Sequence, residues 1–278
     1  MLVRVRAAGV TPTELLWYPT THTPDGKPRR NAVPGHEFSG VVAALGPGST
    51  GFEIGQEVYG MNSWFADGAT AEFRVTQLDW IAPKPTRLSF AEAAAVPIGA
   101  LTAWQGLFDR ARLREGETVL IHGASGAVGV FAVQLARHRS ARIFATASAN
   151  SRDFLTELGV ERVIDYRAER FEEIVSKVDV VFDGVGGATL QRSWSVLSST
   201  GRLVTIAADS EVTADERTKQ AFFIVEPNQT QLREVGSLLD AGKLRAFVQA
   251  EVPLARAGSA YDGAARAGPA RGKIVVVL

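Results

Sequence analysis

Residues 118–139 read TVLIHGASGAVGVFAVQLARHR, and this stretch decides the fold. Thr118 to His122 form a short apolar strand that runs into a turn of small residues, Gly123-Ala124-Ser125-Gly126-Ala127-Val128-Gly129, and then into a helix. A turn this small lets backbone N–H groups and the positive end of a helix approach a pyrophosphate with no bulky side chain in the way. The common G-x-G-x-x-G spacing would place glycines at 124, 126 and 129, and position 124 is Ala. Spacing alone is therefore a weak signal, because small turns also serve packing. The strand before and the helix after are what favour a nucleotide.

Working outward, the same texture repeats. "ARIFATAS" is followed by "SRDFLTELG", "VDVVFDGVG" by "ATLQRSWSVLSS", and "GRLVTIAA" by a less regular stretch. Apolar strands alternating with helices of ~10–15 residues predict right-handed βαβ units and a doubly wound parallel sheet. Upstream, short alternating runs such as "LVRVRA", "SGVVAAL", "QEVYGM" and "TAEFRV" are separated by turn clusters such as "TPDGKP" and "GPGST", the pattern of an antiparallel, mostly β domain. The C-terminal part returns to strand, helix and strand. The expected organisation is an α/β protein with one domain over 1–93 and 250–278 and a second over 94–249.

Composition narrows the function classes. With 278 residues, 46% of them hydrophobic, the chain can bury roughly three quarters of its unfolded surface without disulfides or a structural metal. Thirty Lys and Arg balance thirty Asp and Glu, so nothing drives nonspecific binding to phosphates, and nucleic acid is not an expected partner. The absence of cysteine excludes a disulfide framework and a thiolate nucleophile, and suits a reducing cytoplasm, the expected location. The start, MLVRVRAAGV, alternates like a strand and lacks a signal-peptide core. No window approaches the ~18 uninterrupted apolar residues of a membrane span, so no membrane is expected.

The end of the strand after the glycine turn discriminates between dinucleotides. An NAD site usually places Asp or Glu there to bond the ribose 2′-OH, whereas an NADP site leaves room and positive charge for a 2′-phosphate. Here the strand RIFATA ends in Ser148-Ala149-Asn150-Ser151-Arg152, with no acid before Asp153. Ser148 and Arg152 therefore read as a 2′-phosphate site, with Asn150 and Ser151 as further candidate donors, and NADPH is the expected cofactor. Ser151 also reads as a cap for the following helix.

Several ordered motifs carry a resemblance over nearly the whole chain: GETVLIHGASGAVGVFAVQLAR at 116–137, AAAVPIGALTAW at 93–104, LGVERVIDY at 158–166, VDVVFDGVGG at 178–187 and the closing GKIVVVL. Together they resemble the medium-chain dehydrogenase/reductase superfamily, and within it the zinc-independent quinone oxidoreductase branch. The resemblance implies a GroES-like β-barrel catalytic domain built from both chain ends, a Rossmann domain between them, and an active site in the cleft joining the two. It implies that Thr102 sits by the nicotinamide ribose and phosphates, Ala124, Ser125, Gly126, Ala127, Val128 and Gly129 on the pyrophosphate, and Tyr166 against the adenine. Gly184, Val185 and Gly186 would flank the ribose, and Ile206 and the segment around Phe223 to Val225 would approach the nicotinamide through backbone. Relatives carry a first strand ahead of VRVRAAGV, so the expectation is either a barrel that lacks a strand and leaves an unpaired edge or a start that is misassigned or truncated, and relatives show Asn-Pro-x-Asp where this chain has Thr11-Pro12-Thr13-Glu14.

The stretch NAVPGHEFSG at 31–40 resembles the metal-site signature of zinc alcohol dehydrogenases, whose histidine binds catalytic zinc between two cysteines. By that resemblance the cysteine positions hold Thr11 and Ile98 here, leaving His36 and Glu37 as half a site, so no metal is expected. Without a Lewis acid, an enolate forming on the substrate needs hydrogen-bond donors. Thr11, Tyr18 and His36 are the candidates, with Tyr59 and Trp64 as walls. His122, at a strand end beside the glycine turn, is the only other histidine placed to touch ligand.

The expected activity is hydride transfer from NADPH to a quinone or an α,β-unsaturated carbonyl compound. The alternatives are a zinc-type alcohol dehydrogenase, disfavoured by the missing cysteines, and a non-catalytic NADPH-binding structural or interaction protein. The resemblance also implies a homodimer formed through the sheet edge near 200–225.

Overall fold

The computed structural model describes residues 1–265 and 271–278. Five strands come first: β1 (Leu2–Gly9), β2 (Glu37–Ala44), β3 (Glu57–Met61), β4 (Phe73–Val75) and β5 (Ile81–Pro83). Five more follow: β6 (Thr118–His122), β7 (Arg142–Ala147), β8 (Arg162–Asp165), β9 (Val178–Asp183) and β10 (Leu197–Thr205). The chain closes with β11 (Val248–Pro253) and β12 (Lys273–Val277).

These strands belong to two compact units, Met1–Leu101 with Glu226–Leu278, and Thr102–Val225. The expected limits at 93/94 and 249/250 differ from these, and side-chain contacts explain why. Helix Gln229–Asp240, expected with the parallel sheet, packs in the first unit. Gln229 donates to the carbonyls of Leu78 and Ile81 at 2.6 and 2.9 Å, and the buried Tyr59 hydroxyl donates to Leu232 O at 2.5 Å. Part of the expected 250–278 return, 266–270, lies outside the described residues.

The first unit holds a sheet of order β11-β12-β1-β2-β3-β5, with β4 also on β1. Alternation builds β1: Val3, Val5 and Ala7 are buried, and Arg4 and Arg6 between them are exposed. Val3 and Val5 face a core with Phe38, Val42, Val58 and Ile81. Among the described residues β4 pairs only with β1, and Phe73 and Val75 on it are exposed, so this edge is open. Where β1 and β2 slip register between Val5 and Ala7, Gly40 lies against the Arg4 carbonyl so closely that a Cβ there would collide with it.

The second unit is a wholly parallel sheet of order β10-β9-β6-β7-β8. In chain order that is fifth, fourth, first, second, third, the doubly wound arrangement expected, and its order reverses between β6 and β9. Leu120, Ile164, Val181, Leu190 and Leu203 fill one core between strands and helices. Among the described residues no helix is long and apolar enough to cross a membrane.

Candidate functional site

In the parallel-sheet unit, most of the predicted cofactor residues follow the carboxyl ends of the five strands, whereas Thr102 lies in helix Pro97–Trp104 and Phe223 and Val225 come after helix Glu216–Ala221. β6 runs into Gly123, which takes φ +72°, and helix Gly129–His138 follows. A Cβ on Gly129 would meet the Gly123 carbonyl and, at 2.6 Å, the Cα of Ala124, so the helix can begin this close to the strand only with glycine there. Ala124 is fully buried and its N–H donates to Thr146 O at 3.3 Å. The positive φ falls one residue earlier, at Gly123, which is why alanine is tolerated at the first glycine of the motif. The N–H groups of Ser125, Ala127 and Val128 donate to no group among the described residues. Donors of this kind at a helix start fit a pyrophosphate.

The loop after β9 lies against this turn: a Cβ on Gly123 would touch Val185 at 3.4 Å. Its shape depends on Asp183, a residue that sequence reading passed over. The Asp183 carboxylate accepts from Val185 N at 3.1 Å, from Gly186 N at 3.0 Å and from the Thr205 hydroxyl at 2.7 Å. Burial raises its pKa, while those donors act in the opposite direction. The available signal was an acid closing the strand VDVVFD directly after the apolar run Val180-Val181-Phe182. Gly186, at φ +79°, also leaves room for Asp209, whose carboxylate accepts from Gly187 N at 3.0 Å.

Ser148 follows β7, half-buried and extended, with no capping bond from its side chain. Ser151 is buried. Arg152 keeps 42% of its side chain exposed, donates to Val163 O at 2.9 Å and lies 3.7 Å from Glu169. Glu169 also pairs with Arg162 and accepts from Asp165 N at 2.9 Å, so Arg152 shares its carboxylate neighbour. Tyr166, at the end of β8, has an exposed ring with the Arg167 guanidinium 5.5 Å from its centroid. Ile206 is half-buried after β10, with its Cδ1 3.9 Å from a Cβ built on Gly184. Phe223 and Val225 are core residues whose side chains face inward, and Thr102 is buried.

His122 does not face ligand. It is 1% exposed, with Nδ1 2.9 Å from Thr146 Oγ1 and Nε2 2.9 Å from Ser193 Oγ. Ser193 gives its proton to Thr189 O at 2.7 Å, so its oxygen must accept from His122 Nε2–H, and Nδ1 accepts from Thr146. The ring is neutral and structural, and burial lowers its pKa to about 3.

The first unit carries a buried polar cluster around the Gly-His-Glu stretch. His36 is 1% exposed, and both ring nitrogens are engaged: Nδ1 lies 2.5 Å from Glu14 Oε2, and Nε2 lies 3.1 Å from Trp64 O and 3.2 Å from Ala66 O. Two carbonyls require a proton on Nε2, so the second proton of the pair lies between Nδ1 and Glu14. Glu14, also buried, accepts in addition from Gly35 N at 2.9 Å. His36 therefore has no N–H left for a substrate. Tyr18 lies elsewhere, more than half exposed and stacked on His22 with ring centroids 4.4 Å apart; no hydrogen bond joins it to His36 or Thr11 among the described residues. Tyr59 is a core anchor.

Glu37 is completely buried, and its pKa is raised by that burial against the opposing pull of Lys273. Its carboxylate accepts from Lys273 Nζ and from Ile98 N at 2.8 Å. Gly9 makes this possible, since a Cβ there would meet Glu37 Cγ and Oε1 at 2.6 Å. Thr11 is half-buried, 3.5 Å from Lys273 Nζ. Glu14 and Lys273 were also missed by sequence reading, although a lone cation opening the apolar run KIVVVL was a visible oddity. This donor set does not fit zinc: the lone pairs of His36 and Glu37 already have protein partners, Ile98 cannot ligate, and no three ligating side chains converge among the described residues.

Comparison with known proteins adds to this geometry. Residues 1–101 match the alcohol dehydrogenase GroES-like domain, and 158–276 match a family described as zinc-binding dehydrogenase. The chain is 31% identical over 266 residues to a 2-methylene-furan-3-one reductase of Solanum lycopersicum, covering 91% of itself and 65% of that protein. It is 31% identical over 294 residues to a probable zinc-binding oxidoreductase, mitochondrial, of Arthroderma benhamiae, covering 99% of itself and 87% of that protein. The structure of the quinone oxidoreductase from Coxiella burnetii superposes with a TM-score of 0.88 at 30% identity, over 100% of this chain and 90% of that one.

Proposed function

This chain belongs to the medium-chain dehydrogenase/reductase superfamily and is quinone oxidoreductase-like, and we propose that it moves a hydride from NADPH to a quinone or an α,β-unsaturated carbonyl compound without a metal. The observation that carries this reading is the set of loops at the carboxyl ends of β6 to β10. Gly123 to Gly129 offer backbone donors to a pyrophosphate, and the strand end after Ala147 offers Ser148 and Arg152 where an NAD site would place an acid. Bound there, the reduced nicotinamide supplies a hydride, and this chain's residues bind and orient it. Asp183 holds Gly184 to Gly186 in the conformation that flanks the ribose. Ile206 and the backbone at Phe223 to Val225 border the ring.

The substrate class is supported by the names of two similar proteins: the tomato relative is a reductase of a methylene ketone, and the Coxiella neighbour a quinone oxidoreductase. The metal-free reading is supported by the committed lone pairs of His36 and Glu37, although the name of the Arthroderma relative says zinc-binding. We further propose a cytoplasmic homodimer, in which β10, the edge strand of the parallel sheet, meets a second copy.

The test is a fluorescence titration with NADPH and NADH, followed by NADPH oxidation against a panel of quinones and enones, with zinc measured on the same sample. NADPH should bind much more tightly than NADH, and Arg152→Ala should remove most of that difference. Using the ratio separates phosphate recognition from the loss of the Val163 hydrogen bond, which would weaken both dinucleotides alike. Equal affinities in the wild type, or one zinc per chain, would overturn the reading.

A further inference from the structure

At the carboxyl ends of β7 and β8, inside the parallel-sheet unit, one carboxylate serves two cations. Glu169 Oε1 accepts from the Arg162 guanidinium, Oε2 accepts from Asp165 N at 2.9 Å, and Glu169 N donates to Asp165 O at 2.8 Å. Those bonds fix the carboxylate without help from Arg152. Arg152 Nη2 lies 3.7 Å from Oε2, too far for a hydrogen bond, while its Nη1 donates to Val163 O at 2.9 Å. Val163 therefore places the Arg152 guanidinium, and Glu169 only offsets part of its charge.

An ion pair between a side chain 42% exposed and one 25% exposed is weak, so Arg152 can turn its remaining N–H groups to an incoming anion with little loss. Glu169 stays where it is when that happens. A phosphate oxygen accepting from Nη2 at about 2.9 Å lies within about 7 Å of Glu169 Oε2. That is inside the ~10 Å over which charges act at 0.1 M salt. A phosphate monoester carries nearly two negative charges at neutral pH. At about 7 Å, repulsion between it and a carboxylate lowers affinity on the order of 10-fold even through water. An NAD site has its acid at the end of the strand after the glycine turn, and β7 ends without one. Here an acid reaches the same neighbourhood from the turn after β8.

We propose that Glu169 is a specificity-determining residue that opposes the 2′-phosphate: it limits the preference for NADPH over NADH that Arg152 provides. The inference rests on the NADPH reading above and deepens it. Arg152 attracts the phosphate, and the carboxylate 3.7 Å behind it sets how far that attraction discriminates between the two dinucleotides.

Adenosine 2′,5′-bisphosphate and adenosine 5′-monophosphate differ only in the 2′-phosphate and carry no nicotinamide. Their affinity ratio, measured by calorimetry on the full chain, therefore reads this one contact. Glu169→Gln keeps an acceptor for Asp165 N and loses the charge. It should tighten the bisphosphate about 10-fold at about 0.1 M salt and leave the monophosphate unchanged, with the gain shrinking toward about 1 M salt. Glu169→Ala removes the charge by another route and should raise the same ratio, whereas Glu169→Asp, which keeps the charge, should stay nearer to wild type. In an Arg152→Ala background Glu169→Gln should gain less, because nothing then holds the phosphate beside the carboxylate. A ratio unchanged or lowered in both Glu169→Gln and Glu169→Ala overturns the proposal, as does an equal shift for both nucleotides, the mark of a structural role. If the wild type binds the two nucleotides equally and a preference appears only in Glu169→Gln, the NADPH reading fails while Glu169 keeps its role. A wild type that prefers the bisphosphate, with charge-removing variants identical to it, does the reverse. Binding of neither nucleotide to any of these proteins removes both.

Discussion

Gly129 shows how one hydrogen atom in place of a methyl sets how closely a helix can start beside a strand. Its φ is ordinary; what requires glycine is the contact with Gly123 O and the Ala124 backbone, where no flexible side chain can give way. Gly129→Ala must push helix Gly129–His138 off the turn. It should cost about 1–3 kcal/mol in urea unfolding and weaken dinucleotide binding at the same time. Ala127→Gly, which supplies the adjacent glycines usual in the family, should leave both measurements near wild type. Equal dinucleotide affinity in Gly129→Ala and wild type would show that the turn does not hold the pyrophosphate. At this scale the sequence was informative about Gly129 and silent about Ala124, because only φ reveals that the left-handed residue is Gly123.

At the scale of elements, His122 ties β6 to β7 through Thr146 and to helix Gly187–Ser193 through Ser193. Burial is the main reason its pKa falls from 6.5 to about 3, with Arg192 nearby acting in the same direction. An unfolded chain takes up a proton on this histidine below its ordinary pKa, whereas the folded chain refuses it until far lower pH. Its stabilising contribution is thus complete above pH 6.5 and is lost as pH falls toward 3. Within that window the slope from this one group is roughly 1.4 kcal/mol per pH unit. Chemical denaturation between pH 6 and 4 should show His122→Gln less stable than wild type at neutral pH yet with a shallower dependence on pH. Parallel slopes would mean that the wild-type ring charges in the folded state. Sequence reading placed His122 at a strand end beside the turn, but its partners Thr146 and Ser193 lie on other elements, so whether the ring faced ligand or core was not legible.

At the scale of the whole molecule, each unit draws its order from pairings distant in sequence. β12 returns to lie against β1, and helix Gln229–Asp240 joins the sheet that Tyr59 belongs to. The proposed dimer predicts a mass of two chains by light scattering. Thr200→Lys, an exposed position on the edge strand β10, should shift that mass toward one chain. A wild type that runs as a monomer at micromolar concentration would remove the dimer from the proposal.

Alternation of hydrophobicity is a local property, and by itself the sequence determined the two kinds of sheet, the order of the βαβ units and the small-residue turn between β6 and its helix. The loops proposed to take the cofactor could be located for the same reason: those after β6, β7 and β9 follow strand ends of a doubly wound sheet, wherever those strands come to lie. The polar cluster of the first unit was not legible. Glu14 meets His36, and Glu37 meets Lys273, across strand pairings whose register no single segment encodes. Only the tertiary structure decided that the histidine of the Gly-His-Glu stretch is already satisfied and that an ammonium, brought back from the C-terminal strand, stands against its glutamate.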